Sequence, residues 1–308
     1  MGGAETQWTV PVQFTRQREL NMLRTIPGKK WLRWMHKAYL GLFLAYLALP
    51  LAVVAVFAFN DSTIPSLPWK GWTLDWFIGN GSTRTGMLRD GEIGASIGHS
   101  LIVAALVTLL SIGCGTTTAF LFERHDFKGK SLLYLLMLMP LVIPGVILGI
   151  AILAFSSTLA NGLETHFGLS VEALRPGLLL VTLGQFSFIA TIATLVISAR
   201  LRKFDRSLEE AALNLGAGPL TVLRTITLPY LYPSMIGCGV VAFLMSFENF
   251  STTLMLVGSD APLTITMFNR MRQGSTPELN AVSLALMLAS ALLGLVSILA
   301  QHKKPPSE

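Results

Sequence analysis

The residues best placed to do chemistry lie in Met245-Ser246-Phe247-Glu248-Asn249-Phe250-Ser251-Thr252-Thr253, inside an otherwise apolar run. A carboxylate near the centre of a membrane helix costs on the order of 2.5–3.5 kcal/mol, against about −0.3 to −0.6 for each Leu or Ile. Glu248 therefore cancels the contribution of roughly six good apolar residues, and it should face a cavity or a partner instead of lipid. Ser251 and Thr252 lie one helical turn on, and Asn249, with Ser246 and Thr253, extends the polar surface. Two roles are open on these residues alone. Glu248 is either a structural carboxylate bonded to a neighbouring helix or a pathway acid that attracts a cationic solute.

A second polar stretch runs from Ser207 to Pro229. Ser207 and Glu210 have the spacing of a capping box, in which two orphan amides at a helix start are satisfied reciprocally. Leu208, Ala211, Ala212 and Leu215 fall at i, i+3, i+4 and i+7, so one narrow face is apolar. Gly216 suits the left-handed position that ends a helix, and Pro219 the first turn of the next. Leu228-Pro229 is expected to close that second helix, because proline cannot continue the hydrogen-bond ladder. By itself this is a helical surface loop.

The elements that must position these residues are membrane spans. The 308-residue chain is 52% hydrophobic and 13% charged, with a mean hydropathy of +0.59. Soluble domains carry roughly 25% charged residues, so this deficit excludes an ordinary soluble fold. Six apolar runs, at about 38–59, 98–121, 131–154, 176–198, 232–257 and 280–300, are each long enough to span a hydrocarbon core. The first is too long for a signal peptide and is expected to stay as an anchor. The fold class is thus all-α, with six transmembrane helices, and Pro140 to Gly145 should kink the third near its middle.

Charge asymmetry orients the spans. The basic arm 1–37, the loops after spans two and four and the tail 301–308 hold seventeen of the 23 Lys and Arg residues. The positive-inside rule makes these segments cytoplasmic, with both termini inside, and places 207–229 in the cytosol. The +6 net charge therefore reads as topology and not as nucleic-acid binding. The longest outer loop, 60–97, carries Trp69, Trp72, Trp76 and Phe77 and is expected to form a small ordered cap. Cys114 and Cys238 sit in apolar runs as candidate buried thiols. Gly129-Lys130-Ser131 lacks the first glycine of a phosphate-binding loop, since Arg124 stands there. The five histidines are scattered, with neither metal-ligand nor catalytic spacing.

Glu210-Ala211-Ala212, three residues, Gly216, nine residues, Ile226, one residue and Leu228-Pro229 together resemble the EAA loop of ABC-importer permeases. Phe59-Asn60-Asp61-Ser62, Ser100-Leu101, Pro140 to Gly149, Ser246-Phe247-Glu248-Asn249-Phe250 and Thr276-Pro277-Glu278-Leu279-Asn280-Ala281 narrow this to the spermidine/putrescine subfamily and its C-type subunit. Glu248-Asn249 departs from the two acidic residues that subfamily often has there. Related subfamilies for ferric iron, thiamine or amino-acid derivatives share the framework, and the basic arm lies outside the pattern.

The resemblance implies a type I importer permease in a bacterial inner membrane, with a permease domain over 38–300. It further implies a second homologous permease subunit, two ATP-binding subunits and a periplasmic or lipid-anchored solute-binding protein. In such an assembly the 207–229 loop is the coupling helix that docks on the ATPase. Glu210 would anchor it, Gly216 would allow its turn, and Leu208, Ala212 and Leu215 would fill the groove. No cofactor is then expected in this chain, ATP and magnesium being bound by the partner ATPase, so the chain is a transport subunit and not an enzyme. Glu248, Asn249, Ser251 and Thr252 would line the path. The competing class is an ion-coupled carrier, which would show repeat symmetry or broken helix pairs; neither is evident in the sequence.

Overall fold

The computed structural model describes residues 30–64, 67–79, 85–274 and 277–302. Most of the basic arm, Pro65, Arg84, Thr276 and the end of the tail lie outside them. Contacts divide the chain into two units, Met1–Val53 and Val54–Glu308. The described part of the first, residues 30–53, is helical and belongs to the apolar helix α1 (Lys30–Phe57).

The second unit is helical, with an isolated antiparallel bridge between Asn60 and Trp72. After a short helix α2 (Asp75–Ile78) come α3 (Gly91–Arg124), α4 (Lys130–Val142), α5 (Gly145–Phe167) and α6 (Leu178–Leu201). The polar loop holds α7 (Ser207–Asn214) and α8 (Pro219–Val222), followed by α9 (Leu228–Phe247), α10 (Ser251–Leu256), α11 (Leu263–Gln273) and α12 (Glu278–His302). Six helical stretches among the described residues are long and apolar enough to cross a membrane, as the sequence predicts.

Two of the six depart from the expected shape. The third run breaks where expected, but at extended Ile143 and Pro144, with Pro140 kept inside α4. Its second half runs on to Phe167. At 13 residues α4 is only about 20 Å long and cannot cross alone, whereas α5, with 23 residues, is long enough by itself, so the crossing stretch is 145–167 and not the expected 131–154. The fifth run also breaks, at Glu248 to Phe250, before α10 resumes it. That second break was not expected.

In α6 polar groups are buried alongside Leu180, Val181, Ile189 and Ile197. Thr182, Gln185, Thr191, Thr194 and Ser198 are buried, while Leu179, Leu183 and Val196 are exposed. Lipid tails are as apolar as leucine, so polar groups in a span gain by facing protein, where they find partners. Thr182 and Thr194 bond back to their own helix, at Leu178 O and Ala190 O, and Thr191 donates to Met137 O of α4 at 2.8 Å. Around α6 pack Val103 and Val107 of α3, Ala242 of α9 and Leu256 of α10.

The glycine pair of the α5 start sets its distance from α10. A Cβ on Gly145 would stand 3.1 Å from Ser251 Cβ, and one on Gly149 would stand 2.9 Å from Met255 Cβ and 3.1 Å from Thr252 O. Gly149→Ala is expected to destabilise the protein by about 1–3 kcal/mol through overpacking. A thermal-unfolding midpoint in detergent unchanged from wild type would contradict that packing.

On the side opposite the polar loop the aromatic cap is ordered. Trp76 Nε1 donates to Asn60 O at 2.9 Å, Lys70 N–H donates to Asn60 Oδ1 at 3.0 Å, and Phe59 packs on Trp72 and Phe77. Asp90 caps α3 by accepting from Glu92 and Ile93 amides, and its other oxygen meets Arg270 at 2.8 Å. Burial pushes that carboxyl up, but the Ile93 amide and Arg270 outweigh it and hold it below the ordinary range. Cys238 is buried as expected, whereas Cys114 is exposed.

Candidate functional site

Two regions carry the residues singled out above. The first is the polar loop. α7 begins at Ser207, and the capping box does not form; Asp205 Oδ1 accepts the Ser207 amide at 3.0 Å instead. The Asp205 carboxylate, two residues upstream, takes the amide that the Glu210 carboxylate would accept in a capping box. Its bond to the Ser207 amide lowers the Asp205 pKa. The C-terminal end follows expectation: Gly216 has φ +89°, its amide donates to Leu213 O at 2.9 Å, and the Ala217 amide donates to Ala212 O at 3.1 Å. These are the two bonds of a Schellman cap.

Pro219 starts α8, as expected, but Leu228-Pro229 does not end it. Residues Leu223–Thr227 form a π turn that leads straight into α9. The Leu228 amide donates to Leu223 O, five residues back. The wider turn relieves the clash that the Pro229 ring would make with the carbonyl four residues earlier. Leu228 and Pro229 are half-buried at this junction.

Glu210 and Glu209 divide the roles differently from the expectation. Glu210 is exposed, as is Ala211, and among the described residues no bond holds the Glu210 carboxylate. Glu209 is the anchor within the chain: its Oε1 accepts from Arg124 at 2.9 Å and from the Thr227 hydroxyl. Arg124 also lies over Phe204, whose ring meets Tyr230 edge-on, and Arg200 stacks on Tyr230 with its Cζ 4.1 Å from the centroid. This stack ties the loop to the ends of α3, α6 and α9. The sequence signal for it was a lone Arg at the end of the second span. Leu208, Leu213 and Leu220 stay exposed, Leu215 is 89% exposed, and Ala212 is half-buried between them. The loop thus presents an apolar strip that stays exposed among the described residues.

The second region is the break in the fifth run. Glu248 is not at a helix centre; it is the C-cap of α9, with φ −87° and ψ −2°, and its side chain is exposed. Among the described residues no hydrogen bond or ion pair holds its carboxylate. Ser251, the first residue of α10, is exposed nearby in sequence. Asn249 is occupied: its Oδ1 accepts the Thr253 amide at 3.3 Å and the Thr253 hydroxyl at 3.1 Å, and its backbone O accepts from Thr264 at 3.1 Å. Thr252 is 1% exposed and packs toward Gly145, Gly149 and Gly184. Ser246 and Thr253 are buried as well, against Gln185 of α6. Sequence reasoning missed Gln185; its one signal is an amide alone in an apolar span.

The two broken runs meet here, Gly145 and Gly149 at the start of α5 lying against Ser251, Thr252 and Met255 of α10. Of the two, the break at Glu248 to Phe250 is the feature that the sequence did not reveal. In membranes such breaks leave backbone and side-chain polar groups facing a protein-lined path. Six long apolar helices, a polar loop with an exposed apolar strip and an exposed carboxylate at a break in the fifth run make this, by class, a multi-pass membrane protein.

The comparisons agree. The family model described as "Binding-protein-dependent transport system inner membrane component" matches residues 111–303, and the chain belongs to that family of ABC-importer permeases. The putrescine transport system permease protein PotI of Escherichia coli (strain K12) is 31% identical over 254 residues, 82% of this chain and 85% of the relative. The spermidine/putrescine transport system permease protein PotC of Haemophilus influenzae is 26% identical over 273 residues, 88% of this chain and 97% of the relative. A chain from the crystal structure of a bacterial ABC transporter involved in the import of the acidic polysaccharide alginate superposes with a TM-score of 0.69 at 18% identity, covering 92% of this chain and 97% of that one. That last likeness is one of fold. The chain is thus a multi-pass membrane protein with the permease fold expected from its sequence.

Proposed function

We propose that this chain forms one half of the translocation pathway of an ATP-driven importer for polyamines, putrescine and spermidine. The observation that carries the reading is Glu248, an exposed carboxylate held by no group among the described residues, at a break inside an apolar run. It stands at the C-terminal, partially negative end of α9, where a second negative charge gains nothing and a cation gains from both. A fixed carboxylate in a water-poor path attracts an ammonium group far more strongly than the same charge does in bulk water. Ser251, exposed at the start of α10, is the other pathway residue in this reading, with Asn249 fixing the turn and Thr252 packed behind it against Gly145 and Gly149. The polyamine assignment follows the names of the two relatives above.

In this reading a second, homologous permease subunit supplies the other half of the path. Two ATP-binding subunits hold ATP and magnesium, dock on the 207–229 loop and take Leu208, Ala212 and Leu215 into their groove, with Glu210 at the rim. A periplasmic or lipid-anchored binding protein delivers the solute to the opposite face. Both termini are cytoplasmic, following the Lys and Arg asymmetry. The chain itself is a transport subunit; hydrolysis belongs to the partner.

The broken runs at 143–144 and 248–250 are also what an ion-coupled carrier would use, which makes that the second reading. One experiment separates them: uptake of labelled putrescine and spermidine into vesicles carrying this subunit with its partner subunits. Saturable uptake that requires both ATP and the binding protein is the expected result. ATP hydrolysis without polyamine uptake would leave an importer for another solute, such as ferric iron, thiamine or an amino-acid derivative. Uptake by this chain alone would overturn the reading.

A further inference from the structure

The turn that presents Glu248 is held from another helix. Gln185, 1% exposed in the middle of α6, reaches both sides of the break. The Ser246 hydroxyl, in the last turn of α9, donates to Gln185 Oε1. Gln185 Nε2 donates to Thr253 Oγ1 of α10 at 2.8 Å. The Thr253 hydroxyl passes its own proton on to Asn249 Oδ1 at 3.1 Å, and the same oxygen accepts the Thr253 amide. The three bonds from Ser246 to Asn249 therefore bracket Glu248 and run through one side chain of a different span.

We propose that Gln185 is a positioning residue of the pathway: it fixes the angle between α9 and α10, hence where the Glu248 carboxylate stands, and so sets the affinity for a cationic solute that it never touches. This rests on the reading of Glu248 as the pathway acid. Three features support it. The amide is the one group of α6 whose two polar atoms bond to both sides of the break, whereas Thr182 and Thr194 bond only to their own helix. A buried, fully bonded network has one low-energy arrangement, because the low local dielectric strengthens each bond and penalises each one broken. Finally, Ser246 released from Gln185 has a local alternative in the carbonyls of its own helix, so the turn relaxes when the amide is removed and does not stay in place by default.

A merely stabilising amide would change how much complex assembles and nothing else. The test is therefore made on the assembled transporter in vesicles, with uptake expressed per complex. Gln185→Met, close in volume and without hydrogen-bonding atoms, is compared with wild type, and both are repeated in a Glu248→Gln background. The expected result is a KM for putrescine raised about fivefold or more, with the maximal rate within about twofold, and no further rise when Glu248 is already glutamine. In a Cys114→Ser, Cys238→Ser background carrying Glu248→Cys, a cationic methanethiosulfonate reagent should label position 248 at a rate changed at least about threefold by Gln185→Met, the sign of the change reporting which way the turn moves.

An equal KM rise in both backgrounds, a fall in maximal rate alone or an unchanged labelling rate would each overturn the proposal. Where Glu248→Gln itself leaves uptake unaltered, the pathway-acid reading fails, and the labelling rate then decides the positioning role by itself. Where Gln185→Met does not assemble, Thr253→Val removes one hydroxyl of the same network at nearly constant volume and is read by the same quantities.

Discussion

Glu248→Gln is expected to raise the KM for putrescine roughly five- to thirtyfold while the complex assembles at wild-type levels. The magnitude follows from the charge. Two unit charges at about 4 Å interact by about 4 kcal/mol at an effective dielectric of 20, and desolvation and screening in an open path leave about 1–2 kcal/mol of it. Glutamine keeps the shape of the side chain and removes the charge, so packing at the α9 C-cap should not change. The maximal rate should fall less than the affinity, because the carboxylate is lost equally from the bound and the moving solute. Transport kinetics in vesicles, at fixed binding-protein concentration, give both quantities. An unchanged KM would strip Glu248 of its role in solute binding.

The second large effect is expected at Glu209. Its carboxylate accepts from Arg124 and Thr227, and side-chain exposures of 15% for Arg124 and 21% for Glu209 make this a largely desolvated pair. Removing one partner of a fully buried pair costs about 3–5 kcal/mol, and the residual exposure here reduces that to about 2–3 kcal/mol. Glu209→Ala should therefore lower the thermal midpoint of the isolated chain and release α7 from the end of α3. Binding of the ATPase should be lost as a consequence. Glu210→Lys makes the informative contrast. Glu210 is exposed, so its substitution should leave stability intact and still abolish ATPase co-purification. If the two variants instead behave alike in both measurements, the division of roles between the adjacent carboxylates is wrong.

How much of this was legible beforehand depended on how local the cause was. Apolar runs of some twenty residues announce spans without help from the rest of the chain, and the left-handed Gly216 announces a helix end. What the sequence could not disclose was decided by partners far along the chain. Glu209 and Glu210 are neighbours of identical chemistry, and which one turns inward is settled by Arg124, 85 residues earlier. The break at Glu248 to Phe250 is likewise completed by Gln185, 61 residues before Ser246 and 68 before Thr253. The misread cap at Ser207 had a different origin, since Asp205 lay in plain view two residues upstream and offered the Ser207 amide a carboxylate nearer in the chain than Glu210. Reading Leu228-Pro229 as a stop failed for a third reason: proline forbids an α-helical bond, not every helical bond.

That junction has a geometric consequence for the whole fifth span. An α-helix advances about 100° per residue, and a π turn inserts one residue into the winding. Everything after Thr227 is therefore rotated by about that angle from where an unbroken helix begun at Pro219 would place it. A helical wheel drawn continuously from Pro219 to Phe247 points the later residues, Glu248 included, at the wrong neighbour. The loop and the span it leads into are one rod with a fixed twist between its two ends, and a single-residue deletion anywhere in Leu223–Thr227 would turn the docking strip out of phase with the pathway while leaving both locally intact.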